Sequence, residues 1–468
     1  MRERRTVDSS SSAADPSEGM GTLRLKREVG LISAVSLIAG TMIGSGIFMS
    51  PEWVLYHMGS PAGSLIIWAA CGLLVMFGAL SYAELGTIIK ESGGDYIYIL
   101  RNFGSLPAFL FAYTSIIVVR PASMAGVSLS FAKYAVAPFY QGCSTPEVVV
   151  KCTAASCILL LTIINCLNVR LATAIMNIFT AAKLLVLLVI VIGGVVLLIN
   201  GHTQSFQDAF QNTTTGIGPV GVAFYQGLWS YDGWNNLNFV TEELKKPEVN
   251  LPRAMMIAIP LVTCLYLLVN VTMRVLTLSL WPSVALSSFG SANGTFFSGG
   301  RVCYIASREG HMPDILSMAH VRCLTPSPAL IFTSAMALIM IIPGNFSSIV
   351  NFFSFTAWLF YGTTIAGLLI YMVLYRDVLL SQVPIIIPII VLIASVYLVL
   401  APVIDQPQIE FFYVILFILS GIIVYFPLVH YKRHPQFLQR ITLHLQLLLE
   451  VAPTKEVAEF GGSLAVER

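Results

Sequence analysis

About twelve runs of roughly twenty apolar residues follow one another along this chain, with little polar sequence between them, and each is long enough to cross a bilayer as a helix. They lie near 31–53, 62–89, 105–138, 147–167, 171–199, 219–240, 254–273, 275–306, 328–344, 347–375, 383–404 and 408–431. Charged residues make up 11% of the 468 and apolar residues 56%, whereas soluble domains carry about 25% charged residues. The expected fold class is an all-α integral membrane protein of about twelve transmembrane helices. The net charge of +2 comes with no basic stripe or base-stacking motif, so nothing points to nucleic acid.

Lysine and arginine accumulate in cytoplasmic loops. With the N-terminus inside, the inner segments hold Lys90, Arg101, Arg170, Lys245, Lys246, Arg253, Arg301, Arg308, Arg322, Arg376, Lys432, Arg433 and Arg440, while the outer ones hold only Lys133, Lys151 and Arg274. Both termini are therefore expected in the cytoplasm. Residues 1–28 are Ser-rich, with basic clusters Arg2/Arg4/Arg5 and Arg24/Lys26/Arg27, and read as a disordered cytoplasmic tail rather than a signal peptide. Residues 432–468 read as a cytoplasmic C-tail. Within it, FLQRITLHLQLLLEV (437–451) is apolar at helical spacing but too polar to span, so it lies on the membrane surface or packs on the protein.

The first run is built to break. Residues 41–48 read TMIGSGIF, with Gly40 upstream and Pro51 following. Inside a bilayer, unwound backbone is tolerated only where its groups face protein, water or a ligand. Glycines let a ligand approach closely, and the second half-helix begins with free N–H groups suited to a carboxylate. The sixth run carries a matching break, FYQGLWSYDGWNN (224–236). Two interrupted spans at corresponding positions point to two five-span repeats with a site between them at midplane. That gives repeat one near 30–199, repeat two near 219–375 and extra helices near 383–431, all within a membrane domain over 29–431. A single glycine-rich stretch would be helix packing more often than a site; the pair reverses that.

The first break offers donors to an anion. The sixth offers freed carbonyls to a cation, with aromatic walls expected from Phe224, Tyr225, Trp229 and Tyr231. A molecule with adjacent carboxylate and ammonium groups fits both, which is an α-amino acid. Asp232 is an intramembrane carboxylate and so a functional candidate by default. It either attracts a cationic substrate side chain or pairs with Lys183 or Arg120. Arg120 itself faces an aqueous vestibule or snorkels. No nucleophile–base pair, nucleotide loop or metal-ligand spacing suggests an enzyme, a metal or a cofactor; His202, His311 and His320 read as solvated or interface residues in loops.

GTMIGSGIF, AELGT, SGGDYIYI, FTAAKL, FYQGLWSYDGWNNLNFVTEELK, SREGHM, LTPSPA and FFSFTAWLFYG resemble the light subunits of heteromeric amino acid transporters, the L-type family of the amino acid–polyamine–organocation superfamily. The likeness runs from about Leu25 to Pro453 and is strongest to the b(0,+)-type, which exchanges cationic amino acids and cystine for neutral ones without sodium. It implies a LeuT-like 5+5 inverted repeat with helices 1 and 6 broken. It also implies roles by position: Ile43, Gly44, Ser45 and Gly46 for the carboxylate; Trp229 as an aromatic gate; Ser230 and Asp232 beside the substrate; and Lys183 where a sodium-coupled relative places its ion. Cys143, in the outer stretch YQGCSTPE, would carry the disulfide to a single-span glycoprotein heavy subunit of the rBAT kind, with Cys152 the competing candidate. The resemblance further implies the plasma membrane, at the apical surface of epithelia.

One stretch departs from the family. LLVNVTMRVLTLSLWPSVALSSFGSANGTFF (267–297) passes almost directly from the seventh span to the eighth, where the family carries a longer outer connection. A short turn can join antiparallel helices, but a shortened outer gate would impair alternating access. The alternatives to an exchanger are thus a non-transporting light subunit, or an exchanger preferring neutral or aromatic amino acids.

Overall fold

The computed structural model describes residues 29–89, 91–140, 145–200, 208–273, 281–342, 346–374, 383–405, 409–431 and 436–453. Almost all of this is helix. The first half comprises α1 (Leu31–Met42), α2 (Gly46–Met58), α3 (Pro61–Ile88), α4 (Asp95–Phe103), α5 (Ser105–Thr114), α6 (Arg120–Val136), α7 (Glu147–Leu167) and α8 (Val169–Ile199). The second comprises α9 (Ile217–Ser230), α10 (Pro247–Met273), α11 (Trp281–Arg308), α12 (Ser327–Ile341), α13 (Phe346–Leu374), α14 (Ile386–Asp405), α15 (Ile409–Tyr425) and α16 (Gln436–Leu448).

Every one of the twelve apolar runs contains a helix, but they do not all pass as simple spans. Seven described helical segments are long and apolar enough to cross a membrane alone, and the bent pair α1–α2 makes an eighth. The shortfall has physical causes. Helix α9 stops early at the sixth-span break. The long helix α11 carries a polar stripe that lowers its hydropathy. Helix α12 is short, Ser327–Ile341.

Local chemistry explains the element ends. Ser60 caps α3 by accepting the Gly63 N–H at 3.1 Å, and Pro61 sits at the first helical position, where its missing N–H is harmless. In the third span, Pro121 cannot donate to the helical ladder, and a π-helical turn, Ser115–Val119, separates α5 from α6 just before Arg120. The core is laid down by α1, α3, α6, α9, α10 and α11, whose buried apolar faces form one cluster. Within it α10 packs on α3, α11 on α6, and α2 on α9. Outside it, α7, α8, α14 and α15 expose rows of leucine and isoleucine, as a lipid-facing surface does.

Two findings correct the sequence reading. The all-helical expectation misses a small antiparallel sheet, β1 (Met318–His320) with β2 (Val451–Pro453), registered Met318 to Pro453. It holds the end of the C-terminal amphipathic segment, so that segment packs on the protein. Residues 1–28 and 454–468 lie outside the described residues. His311, expected to be either solvated or at an interface, is buried. Its Nδ1 meets the Tyr96 hydroxyl and its Nε2 the Ser105 hydroxyl, each at 2.8 Å. Two ring nitrogens matched to two hydroxyls make a buried imidazole tolerable.

Burial pushes the His311 pKa from 6.5 down to about 4. A folded-state value below the unfolded one gives stability that is complete above about pH 6.5 and is lost as pH falls toward about 4. The wild-type melting temperature should therefore drop between pH 7.5 and pH 4.5 by more than that of His311→Gln; equal drops would show that His311 does not drive the acid sensitivity.

Candidate functional site at the interrupted helices

The first span breaks where its glycines allow. Helices α1 and α2 are bent by 43° across Ile43–Ser45. Unwinding strips backbone carbonyls of their helical donors, and each finds a side chain. Lys183 Nζ of α8 donates to the Gly40 carbonyl at 2.6 Å. Ser291 donates to the Thr41 carbonyl at 2.6 Å. Tyr266 donates to that of Met42 at 2.6 Å. Ser287 reaches those of Ile43 and Gly44 at 3.0 and 3.1 Å. The donor end differs: no side chain caps the start of α2, so its first N–H groups have no partner within the helix.

The sixth span breaks at the facing position. Helix α9 ends at Ser230, residues 231–235 turn, and a 3-10 stretch follows over Asn236–Glu243. Gly233 sits at φ +97°, a conformation glycine adopts without strain. The breaks touch. A Cβ on Gly46 would lie 2.7 Å from Ser230 Cα, and one on Gly44 would lie 2.9 Å from Ser291 Oγ. Tyr266 also reaches the Ser230 carbonyl at 2.8 Å, so one hydroxyl joins the two breaks.

Between them lies a cavity of about 20 Å³, lined by Gly44, Ser45, Gly46, Trp229, Asp232 and Ser291 among others. That is room for about one water, so in this conformation the breaks are closed on each other. The hydroxyl of Ser230, beside the cavity, is buried without a hydrogen-bond partner. Asp232 and Trp229 also line a second space of about 10 Å³ toward Phe353, Trp358 and Tyr361. Trp229 meets Phe353 edge-on at 5.1 Å. A far larger cavity exists under α16, but none of these groups lines it.

The structure thus brings together Gly44, Ser45, Gly46, Trp229, Ser230 and Asp232. Ile43 does not line the cavity, although its carbonyl is held by Ser287. Lys183 stands behind α1, packed on Gly290, and contacts backbone rather than Asp232. Cys143 lies outside the described residues. Of the four expected aromatic walls, only Trp229 lines the break. The Tyr225 hydroxyl points to the Leu398 carbonyl, that of Tyr231 to the Trp68 carbonyl, and Phe224 lines a separate apolar cleft by α14. A helix presents each face in turn, so consecutive aromatics cannot all face one cavity.

Arg120 neither snorkels nor stands free. Its guanidinium lies 4.4 Å from the Phe239 ring centre and donates to Asn236 at 3.4 Å, on the unwound sixth span. Asp95 is buried and accepts hydrogen bonds from Tyr82, Thr364 and Asn235. Sequence reasoning missed Asp95, Tyr266, Ser287 and Ser291. For the serines a signal existed, a stripe of Ser287, Gly290, Ser291 and Gly294 on one face of an apolar helix.

Comparison with known proteins agrees with this architecture. The family model for amino acid permeases matches residues 29–279 and 273–426. The human b(0,+)-type amino acid transporter 1 is 47% identical over 98% of this chain and 99% of its own length, and its rat counterpart is 49% identical over the same shares. The human cystine/glutamate transporter is 40% identical over 94% of this chain and 93% of its own. The mouse large neutral amino acids transporter small subunit 2 is 38% identical over 95% of this chain and 90% of its own. These relatives are transporters, not enzymes. With two interrupted helices meeting in a multi-span bundle, this multi-pass membrane protein belongs to the amino acid permease family, as a light-subunit amino acid transporter.

Proposed function

We propose that the chain is a sodium-independent exchanger that moves cationic amino acids and cystine against neutral amino acids, as the light subunit of a heterodimer in the plasma membrane. The observation that carries this reading is the uncapped start of α2 facing Asp232 across one cavity. The N–H groups of Ser45 and Gly46 take the substrate carboxylate. The Ser230 hydroxyl and the sixth-span carbonyls receive its ammonium group. Asp232 attracts a cationic side chain, and Trp229, which borders both small spaces and packs on Phe353, is the gate. Lys183 occupies the place of a coupling ion by holding the Gly40 carbonyl itself. The two halves, near 30–199 and 219–375, act as inverted repeats with both termini cytoplasmic. Cys143 joins the heavy subunit.

The cavity is too small for an amino acid, so entry requires the Trp229–Phe353 contact to open. The direct test is sodium-free exchange of external radiolabelled arginine for internal leucine, in proteoliposomes holding the chain with its heavy subunit. Uptake driven by internal leucine supports exchange; equal uptake into empty vesicles rejects it. Asp232→Gly should abolish arginine uptake and keep leucine uptake. Equal loss of both would mean that Asp232 is structural, and equal retention would favour the neutral-substrate reading.

A second reading has its own support. The family match falls in two pieces that meet at 273–279, and the alignment to the human b(0,+)-type relative runs over 486 positions, more than the 468 residues of this chain. Both fit a shortened connection after α10. A light subunit impaired there would still assemble with its partner yet move no substrate, so an intact disulfide-linked complex without flux favours this reading.

A further inference from the structure

A cavity far larger than the two spaces at the breaks lies away from both of them, and the transport reading leaves it unused. Its volume is about 470 Å³, within the range of small-molecule sites. Its walls come from parts far apart in sequence: Phe109 and Tyr113 on α5, the corner Gly310–Asp314 after α11, the end of α15 with the chain just beyond it, and α16. An aromatic stack makes the α5 wall rigid. Phe109 stacks on Tyr113 at 5.9 Å, and Tyr113 on Phe417 of α15 at 4.8 Å.

The lining is overwhelmingly apolar. His311 contributes a wall but no free donor or acceptor, since Tyr96 and Ser105 engage both its nitrogens. Asp314, Thr442 and Gln446 are left as polar groups. The cavity also continues an outer surface. Helix α15 exposes Phe412, Leu416, Leu419 and Ile423, and Leu428 just beyond it is both 43% exposed and a cavity wall. From α16, Leu443 is 56% exposed and lines the same space. A water-soluble ligand gains nothing from such a mouth, whereas a hydrocarbon chain already lying against α15 enters without crossing water. The β1–β2 pairing fixes the end of the α16 segment beside the α11 corner, so the cover is anchored at that end.

We propose that this cavity is a lipid site: it holds one acyl chain of a bilayer phospholipid beneath α16, with the head group at Asp314, Thr442 and Gln446. The chain then braces α5, the α11 corner and α15 together.

The test uses the full chain in proteoliposomes containing phosphatidylcholine with a photoreactive diazirine on one acyl chain. Peptides labelled after illumination are mapped by mass spectrometry. Labelling should concentrate in 310–316, 424–429 and 442–446, and should be lost there in Leu428→Trp/Leu443→Trp, which fills the mouth, while labelling of the outer faces of α7 and α8 stays. The single variant Leu443→Trp, at an exposed position, gives the same readout if the double variant misfolds. Labelling spread evenly over α7, α8 and α15, or unchanged by the filling variants, would overturn the proposal. The readout needs no flux, so it stands or falls separately from the transport reading.

Discussion

Gly46→Ala is expected to lower amino acid uptake by on the order of tenfold or more while the protein still reaches the membrane. The new methyl would lie 2.7 Å from the Cα of Ser230 and 2.7 Å from its hydroxyl. A flexible side-chain tip could swing aside; a backbone atom cannot, so the start of α2 must move away from the end of α9. Overpacking of this kind costs about 1–3 kcal/mol, and each 1.4 kcal/mol is about a tenfold change in an equilibrium constant. The displaced segment carries the uncapped N–H groups, so the loss should appear in substrate affinity. Uptake and surface expression measured side by side check this. Wild-type uptake by the variant would show that the close approach is dispensable and that the carboxylate binds elsewhere.

The second large effect concerns the far end of the sixth span. Arg301 of α11 forms a two-pronged ion pair with Glu243, and both are buried. The guanidinium also covers the Phe297 ring, 3.6 Å from its centre. The Glu243 carbonyl in turn accepts the N–H of Val29, and Lys245 N–H bonds back to the Val29 carbonyl at 2.9 Å. The pair thus ties α11, the end of the sixth span and the chain just before α1 into one corner. Removing one member strands a buried charge, which costs about 3–5 kcal/mol, whereas an apolar pair of similar volume is close to neutral. Glu243→Leu should therefore lower the melting temperature strongly, and Glu243→Leu/Arg301→Met should recover much of the loss. A double variant as unstable as the single one would refute the ion-pair account.

These two positions show different degrees of legibility. Gly46 could be singled out from the sequence, because a glycine pair inside an apolar run has few structural uses. Arg301 and Glu243 could not be matched, since 58 residues separate them and each alone reads as an ordinary loop charge.

The sequence by itself determined that the chain spans a membrane many times, where its helices fall, and that the first and sixth are interrupted. Those properties are local: hydrophobic length, glycine placement and an isolated carboxylate act within one segment. It misjudged the aromatic walls, because which side of a helix faces a cavity depends on what packs against it. Only the tertiary structure decided how the freed carbonyls of residues 40–44 are satisfied. Their donors, Lys183, Tyr266, Ser287 and Ser291, come from three other helices, and no sequence spacing encodes a hydrogen bond that exists only once those helices are packed together.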